Sequence, residues 1–137
     1  MRPMSSQRGF TLMELIVVIT VLALIAVVIA PQMFDRADDA KRKAAQIQID
    51  KVGAAIELYK LETGRFPGEL QDLVTQPANI SNWNGPYLKK KALLQDPWQR
   101  ELIYTQPGEH GRFDLMSLGS DGSAGGEGDD ADITSWE

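Results

Sequence analysis

The length of 137 residues suggests one domain, or one domain plus an appendage. The formal net charge of −5 argues against a nucleic-acid partner, which usually requires a basic surface. The chain has no cysteine, which excludes disulfides, thiolate zinc sites and cysteine nucleophiles. Its single histidine excludes a site built from several histidines.

The amino-terminal part joins a short basic leader to a long apolar run. The leader, residues 1–9, contains Arg2 and Arg8 and no acidic residue, and residues 15–30 contain no charge. A helix over residues 10–30 is about 31 Å long, which spans a hydrocarbon core of about 30 Å. The pattern predicts a membrane helix, with the basic leader on the cytoplasmic side and the rest of the chain across the membrane.

One acidic residue interrupts this apolar segment. A carboxylate such as that of Glu14 costs about 2.5–3.5 kcal/mol inside a membrane unless it has a partner. No small-residue cleavage site follows the apolar run, so a secretory signal peptide is not favoured. A plain signal anchor that tolerates the glutamate is the alternative.

The residues around this glutamate form a motif. Gly9-Phe10-Thr11-Leu12-Met13-Glu14 resembles the prepilin motif of type IV pilins and pseudopilins. The resemblance implies that a membrane-embedded prepilin peptidase cleaves after Gly9 and methylates the new terminus at Phe10. It also implies a partner for the carboxylate, because Glu14 would then face the amino terminus of a neighbouring subunit during assembly.

The apolar run continues into a segment of helical composition. Residues 35–63 contain no proline and one glycine, Gly53, and are rich in Ala, Lys, Glu, Gln and Leu. Gly64 is placed to end a helix. We therefore expect one long helix from about residue 10 to about residue 63, with a kink near residues 27–31 because Pro31 removes a backbone hydrogen bond.

The second half of this helix carries two apolar stripes, at about 100° per residue. One consists of Ala45, Ile49, Val52, Ile56 and Tyr59, and the other of Ala40, Ile47, Ala54, Leu58 and Leu61. Packing on one sheet needs only one stripe, so the second indicates contact with other subunits. The alternative is a helix buried on both sides within one small domain.

Turn residues separate short structured segments in the rest of the chain. Residues 66–74 predict a turn followed by a short helix, and residues 75–86 predict a polar loop. Residues 102–105 and 113–117 predict two strands of a hairpin, joined by a turn at 107–111. The predicted fold class is α+β, with a long kinked amino-terminal helix packed on a small antiparallel sheet.

Several motifs after the helix resemble, in the same order, those of the major pseudopilins of type II secretion. They are Gly64-Arg65-Phe66-Pro67, Gly85-Pro86-Tyr87-Leu88, Asp96-Pro97-Trp98, Pro107-Gly108-Glu109-His110-Gly111 and Ser117-Leu118-Gly119-Ser120-Asp121-Gly122. The resemblance implies the major structural subunit of a periplasmic pseudopilus that helps drive folded proteins across the outer membrane. It implies a single-pass protein of the inner membrane. The implied partners are further copies of itself, the prepilin peptidase, minor pseudopilins and an inner-membrane assembly platform.

These patterns divide the chain into three segments. They are a cleaved leader at 1–9, a transmembrane and assembly helix at 10–34, and a periplasmic domain at 35–137. The end of that domain is rich in glycine and acid, with five carboxylates within twelve residues, at Asp121, Glu127, Asp129, Asp130 and Asp132. Clustered charge and glycine favour a disordered loop, whereas a hard cation such as calcium would order it through carboxylate and carbonyl oxygens.

The resemblance to the major pseudopilins, which are calcium-binding proteins, favours the second interpretation and implies a calcium loop at residues 118–132. The implied ligands are the carbonyl oxygens of Leu118 and Ser123 and the carboxylates of Asp121, Asp132 and Asp130, with Asp129 as the alternative to Asp130. Asp132 is placed by the Ile133 that follows it, as in the family's carboxyl-terminal ending. Trp136 is expected to pack over this loop and close it onto the sheet.

No pattern predicts an active site. His110 lies in a glycine-flanked turn without a nucleophile motif, so we expect a surface residue there. Residues 89–91, three lysines, are expected to form a solvated face, with contact to an acidic neighbouring subunit as the alternative. We therefore expect a structural subunit and no enzyme. The alternatives are a type IV pilin or minor pilin, a membrane-anchored monomeric calcium-binding module, and a membrane-tethered hydrolase.

Overall fold

The computed structural model describes the backbone of residues 9–137, and the side chains of these residues except 31–35 and 129. The leader predicted at residues 1–9 therefore lies, apart from Gly9, outside the described residues. The chain divides into two compact units, Met1–Ala37 and Asp38–Glu137. The functional division predicted between residues 34 and 35 stays a prediction.

The first element is the α-helix α1, Leu12–Thr63. It ends where the sequence predicted, because Gly64 has a φ of +80°, a left-handed conformation that suits glycine. The N–H of Gly64 donates to the Lys60 carbonyl at 2.8 Å and so satisfies one of the last carbonyls of the helix. The predicted long helix is confirmed, while the kink expected near Pro31 stays a prediction.

The first unit leaves the apolar surface of α1 uncovered. Leu12–Ala30 is long and apolar enough to span a membrane, and none of it is buried against the residues that the structure describes. Val27, for example, is 73% exposed and Leu24 is 67% exposed. Because exposed apolar surface of this extent is unfavourable in water, the segment is suited to lipid or to the apolar surface of other helices.

The second unit is built on one stripe of α1. The buried residues of this stripe are Ala45, Ile49, Val52, Ile56 and Tyr59, each at most 1% exposed. They share a hydrophobic cluster with Leu73 and Leu115, which are also fully buried. The other stripe is open, since Ile47 is 54%, Leu58 46% and Leu61 81% exposed. The alternative of a helix buried on both sides is therefore wrong for the single chain.

The sheet of the second unit has three short antiparallel strands, in chain order. They are β1 (Ile103–Thr105), β2 (Asp114–Ser117) and β3 (Ile133–Thr134). Tyr104 of β1 pairs with Leu115 of β2, which confirms the predicted hairpin. β3 pairs with β2, with Ile133 opposite Ser117, and was not predicted because two residues show no alternating pattern. The α+β fold class is confirmed.

Short 3-10 helices occupy the connections in the described part of the chain. They are Leu70–Leu73, Lys91–Leu94 and Gly128–Asp130. The first confirms the short helix predicted within residues 66–74. The second was not predicted, and it buries Leu94 while the lysines at 89–91 stay exposed, as a solvated face requires.

Candidate functional site: the amino-terminal motif and the acidic loop

The predicted cleavage point lies in an open part of the chain. Gly9 and Phe10 are both exposed, and Phe10 is 83% exposed. A Cβ atom added to Gly9 would meet nothing within 4 Å. Both residues of the Gly9–Phe10 bond are therefore accessible, and cleavage between them stays a prediction.

Glu14 has a partner within its own chain, which was not expected. Its Oε2 atom accepts hydrogen bonds from the Thr11 N–H and from the Thr11 hydroxyl, each at 3.0 Å. The Glu14 N–H donates in return to Thr11 Oγ1 at 3.2 Å. This is a capping box, and the Thr-x-x-Glu spacing at the start of a helix is the sequence signal for it. In the single chain, the capping box reduces the free-energy cost of placing the Glu14 carboxylate in an apolar environment.

The acidic loop, residues 118–132, connects two neighbouring strands. It leaves β2 at Leu118 and returns to β3 after Asp132, so the sheet holds both of its ends. The Gly122 N–H donates to the Leu118 carbonyl at 3.2 Å. Gly119 has a φ of +64° and lies against the Ala131 carbonyl, to which an added Cβ would approach within 2.9 Å. Glycine is therefore required where the two arms of the loop meet.

Two further contacts close the loop. The Ser120 hydroxyl donates to Asp130 Oδ1 at 2.6 Å, and the Gly125 N–H donates to Asp132 Oδ2 at 2.8 Å. The other carboxylate oxygen of Asp132, Oδ1, is buried and has no hydrogen-bond partner among the described residues. A buried oxygen without a partner is costly and is suited to a cation or an ordered water.

The predicted calcium ligands lie in this loop, but their side chains do not converge. Within the described residues, no three acidic or histidine side chains are arranged to hold a metal ion. Asp121 and Asp130 are exposed. Asp121 Oδ1 accepts from the Ser123 N–H at 3.0 Å. The side chain of Asp129 lies outside the described residues, and the ligand set stays a prediction.

Two side chains of α1 hold the returning arm of the loop. Arg42 Nη1 donates to the Ala131 carbonyl at 2.6 Å, and Gln46 Nε2 donates to the Thr134 carbonyl at 3.4 Å. Neither contact has a sequence signal, because the partners are 89 and 88 residues apart and the acceptors are main-chain groups. The loop is therefore attached to the helix as well as to the sheet.

Trp136 was expected over the acidic loop, and the structure places it instead on the turn between β1 and β2. Its ring stacks on His110, with ring centres 4.0 Å apart and planes inclined by 4°. The Nδ1 atom of His110 lies 3.0 Å from Asp114 Oδ2. His110 is exposed, as expected, and it ties the carboxyl-terminal segment to the hairpin.

Asp114 is a buried carboxylate that accepts several hydrogen bonds. Burial opposes its charged form, but hydrogen bonds from the His110 ring and from the amides of Glu109 and His110 outweigh this, so the pKa of the Asp114 carboxyl lies below its usual value. A carboxyl with a lowered pKa stabilises the fold above its unfolded pKa, and this stabilisation is lost as the pH falls through the folded pKa.

We expect Asp114→Asn to lower the melting temperature at about pH 7, because the amide cannot carry the charge that the fold favours. For the same reason, the melting temperature of Asp114→Asn should fall less than that of the wild-type chain below about pH 4. The measurement is thermal melting of the full chain in detergent across this pH range. Asp39→Asn, at an exposed position of α1, is the matched control. An acid-induced decline of wild-type size in Asp114→Asn would contradict this role.

Two family models match the chain. The model "Prokaryotic N-terminal methylation motif" matches residues 4–30. The model "Type II secretion system (T2SS), protein G" matches residues 32–136, which is more than half of the chain. Together they cover the apolar part of α1 and nearly all of the second unit, including the acidic loop.

Similar proteins match over nearly their whole length. The chain is 42% identical over 138 residues to type II secretion system core protein G of Pseudomonas aeruginosa, with 96% of each chain covered. It is 40% identical over 129 residues to the protein of the same name from Xanthomonas campestris pv. campestris, with 94% of this chain and 90% of that protein covered. The crystal structure of the major pseudopilin from the type 2 secretion system of enterohaemorrhagic Escherichia coli matches with a TM-score of 0.62 and 27% identity, over 74% of this chain and 87% of that one.

Proposed function

The chain belongs to the family of type II secretion system protein G, the major pseudopilins, and on this basis we propose that it is held in the inner membrane and polymerised into a fibre in the periplasm. It is a structural subunit of a secretion system and not an enzyme. Membership in this family sets aside the alternatives of a type IV pilin, a minor pilin and a membrane-tethered hydrolase.

The observation that supports polymerisation most directly is the uncovered apolar surface of α1. Leu12–Ala30 has no cover among residues 9–137 as far as the structure describes them, and lipid covers it while the subunit is in the membrane. The stripe that contains Ile47, Leu58 and Leu61 lies in the second unit, beyond the membrane segment, and is also exposed. Helices of other copies would cover both surfaces in a fibre.

We expect Leu61→Gln to reduce cross-linked multimers of the full chain by about tenfold, because burying a leucine side chain contributes about 1.5–3 kcal/mol. Its melting temperature should not change, since Leu61 is 81% exposed. The measurement is chemical cross-linking in membranes, read as a ladder. Ile103→Gln is the matched control, since Ile103 is an exposed apolar residue of β1 and not of α1. An unchanged ladder in Leu61→Gln would show that this stripe does not contact other copies.

The amino-terminal motif prepares the subunit for assembly. The match to the methylation motif supports cleavage after Gly9 by a prepilin peptidase and methylation of Phe10. The new amino group of one subunit is then a charge partner for Glu14 of its neighbour. In the single chain the Thr11 hydrogen bonds occupy this carboxylate, so assembly exchanges a partner in the chain for a charged one.

We propose the membrane orientation and the partners on the basis of the same family membership. The apolar segment Leu12–Ala30 and the basic residues before it support a single-pass protein of the inner membrane, with residues 35–137 in the periplasm. Besides further copies of the chain, the partners would be the prepilin peptidase, minor pseudopilins and an inner-membrane assembly platform.

The loop at residues 118–132 is the proposed calcium site. Its donors are the carbonyls of Leu118 and Ser123 and the carboxylates of Asp121, Asp130 and Asp132, with Asp129 as the alternative to Asp130. The fit rests on Asp132, whose buried Oδ1 has no partner among the described residues, and on the all-oxygen donor set that calcium prefers. A bound ion would supply the positive charge that these clustered carboxylates lack.

Saturating calcium is expected to raise the melting temperature of the full chain in detergent by about 10–20 °C relative to chelator, since a ligand at about 100 times its dissociation constant adds about 2.7 kcal/mol. Asp132→Asn should lose most of this rise. Asp39→Asn, at an exposed position of α1, should keep it. Equal melting temperatures of the wild-type chain in calcium and in chelator would exclude the site.

A further inference from the structure

A second buried aspartate organises the segment that precedes β1. Asp96 is 4% exposed, and its Oδ1 atom accepts the N–H groups of Trp98 and Arg100, each at 2.9 Å. Its Oδ2 atom accepts the hydroxyl of Ser117, at the end of β2, at 2.7 Å. The Asp96 N–H donates to the Arg100 carbonyl at 2.7 Å. The backbone of Arg100 is therefore fixed beside the strand from which the acidic loop leaves.

The side chain of Arg100 reaches from this turn onto the acidic loop. Its Nη1 atom donates to the Gly119 carbonyl at 2.5 Å and its Nη2 atom to the Ser120 carbonyl at 2.9 Å. Its guanidinium also packs on Gly122, where an added Cβ would lie 2.6 Å from the Arg100 Cζ atom. Two consecutive peptide groups and the next turn of the loop are thus held by one planar side chain.

The donors of this arginine go to carbonyls and not to the carboxylates around it. Among the described residues Arg100 forms no ion pair, although the loop it touches carries Asp121, Asp130 and Asp132. Arginine is suited to this arrangement because its planar fork donates two hydrogen bonds in a fixed geometry. The negative charges of the described loop carboxylates are therefore not neutralised by Arg100.

We propose that Arg100 is a positioning residue for the acidic loop, the proposed calcium site at residues 118–132. Leu118 and Asp121, two of the proposed ligands, flank the two residues whose carbonyls Arg100 holds. The fork sets the orientation of this arm before an ion binds, which lowers the ordering cost that binding would otherwise carry. This inference rests on the proposed calcium site.

The test compares Arg100→Lys with the wild-type chain, at full length in detergent. Lysine keeps the charge but loses the fork. In chelator we expect the amides of Gly122 and Ser123, which donate within the loop, to exchange hydrogen about tenfold faster in Arg100→Lys, the effect of one lost charge-assisted hydrogen bond. Calcium affinity by titration calorimetry should weaken by a similar factor. Arg112→Lys, at an exposed arginine in the turn before β2, is the matched control for both.

The two readouts separate failure of this proposal from failure of the calcium site. Wild-type exchange rates in Arg100→Lys would overturn the positioning role even if calcium binds. Faster exchange with unchanged calcium affinity would also overturn it, because Arg100 would then serve only the stability of the loop. No heat of calcium binding in the wild-type chain would exclude the calcium site itself. Exchange of the Leu115 amide in β2, unchanged in all variants, shows that the fold is intact.

Discussion

Replacing Glu14 with alanine is expected to leave the chain in the membrane but to reduce its assembly into multimers by about 100-fold or more. Alanine inserts more readily than a carboxylate, which costs about 2.5–3.5 kcal/mol at the centre of a membrane helix. In the proposed pairing, however, the amino terminus of the neighbouring subunit would lose its charge partner in an apolar surrounding when Glu14 is replaced. An unpaired charge in such a site costs about 3–5 kcal/mol, which is the reason for the size of the effect.

Glu14→Gln separates the charge from the helix cap. The amide can still accept the Thr11 hydrogen bonds of the capping box, but it cannot neutralise an amino group. We therefore expect it to fail in assembly as alanine does. The measurement is the ladder of cross-linked multimers in membranes, with mass spectrometry to compare the proposed cleavage after Gly9 and methylation of Phe10 between the variants and the wild-type chain. Multimers at the wild-type level in either variant would refute the charge-pairing role.

The second large effect is expected for Asp96→Ala, which should destabilise the folded unit by about 3–5 kcal/mol. The substitution leaves the Ser117 hydroxyl and the amides of Trp98 and Arg100 without their acceptor in a buried site, and each unsatisfied group costs about 1–3 kcal/mol. For a unit of this size the melting temperature should fall by about 15–30 °C.

Two controls accompany this measurement. Asp96→Asn keeps one carboxylate-like oxygen as acceptor and should lose clearly less stability than alanine. Asp39→Ala removes an exposed aspartate from α1 and should change the melting temperature by no more than a few degrees. If Asp96→Ala melts within a few degrees of the wild-type chain in chelator, Asp96 does not carry the hydrogen-bond network that the structure shows.

Elements that depend on neighbours along the chain could be predicted from the sequence. The extent of α1, its end at Gly64 and the hairpin of β1 and β2 follow from helical composition, a left-handed glycine and turn residues, all of which act over a few residues. The prepilin motif and the membrane-length apolar run are likewise continuous in sequence. Even the capping box between Thr11 and Glu14 had a local signal, although we predicted only a neighbouring subunit as the partner of the carboxylate.

Features that depend on distant segments could not be predicted in the same way. The two stripes of α1 are similarly apolar, and only the placement of the sheet decides that the one with Ile49 and Tyr59 is buried and the one with Leu61 is not. β3 has two residues, too few for a periodic pattern, and exists because the acidic loop returns beside β2. Trp136 could have covered the acidic loop, but stacking on His110 is a contact that no spacing in the sequence predicts.

Local sequence and tertiary structure therefore determined different properties of this small protein. Its local sequence established an apolar helix with a processing motif, an α+β domain and a loop rich in oxygen donors. Only the folded chain assigned separate tasks to chemically identical carboxylates: Asp96 and Asp114 accept networks of hydrogen bonds, while Asp132 keeps a buried oxygen without a partner among the described residues. The physical reason is that most of these partners are main-chain amides, which every residue except proline carries and which therefore leave no mark in the sequence.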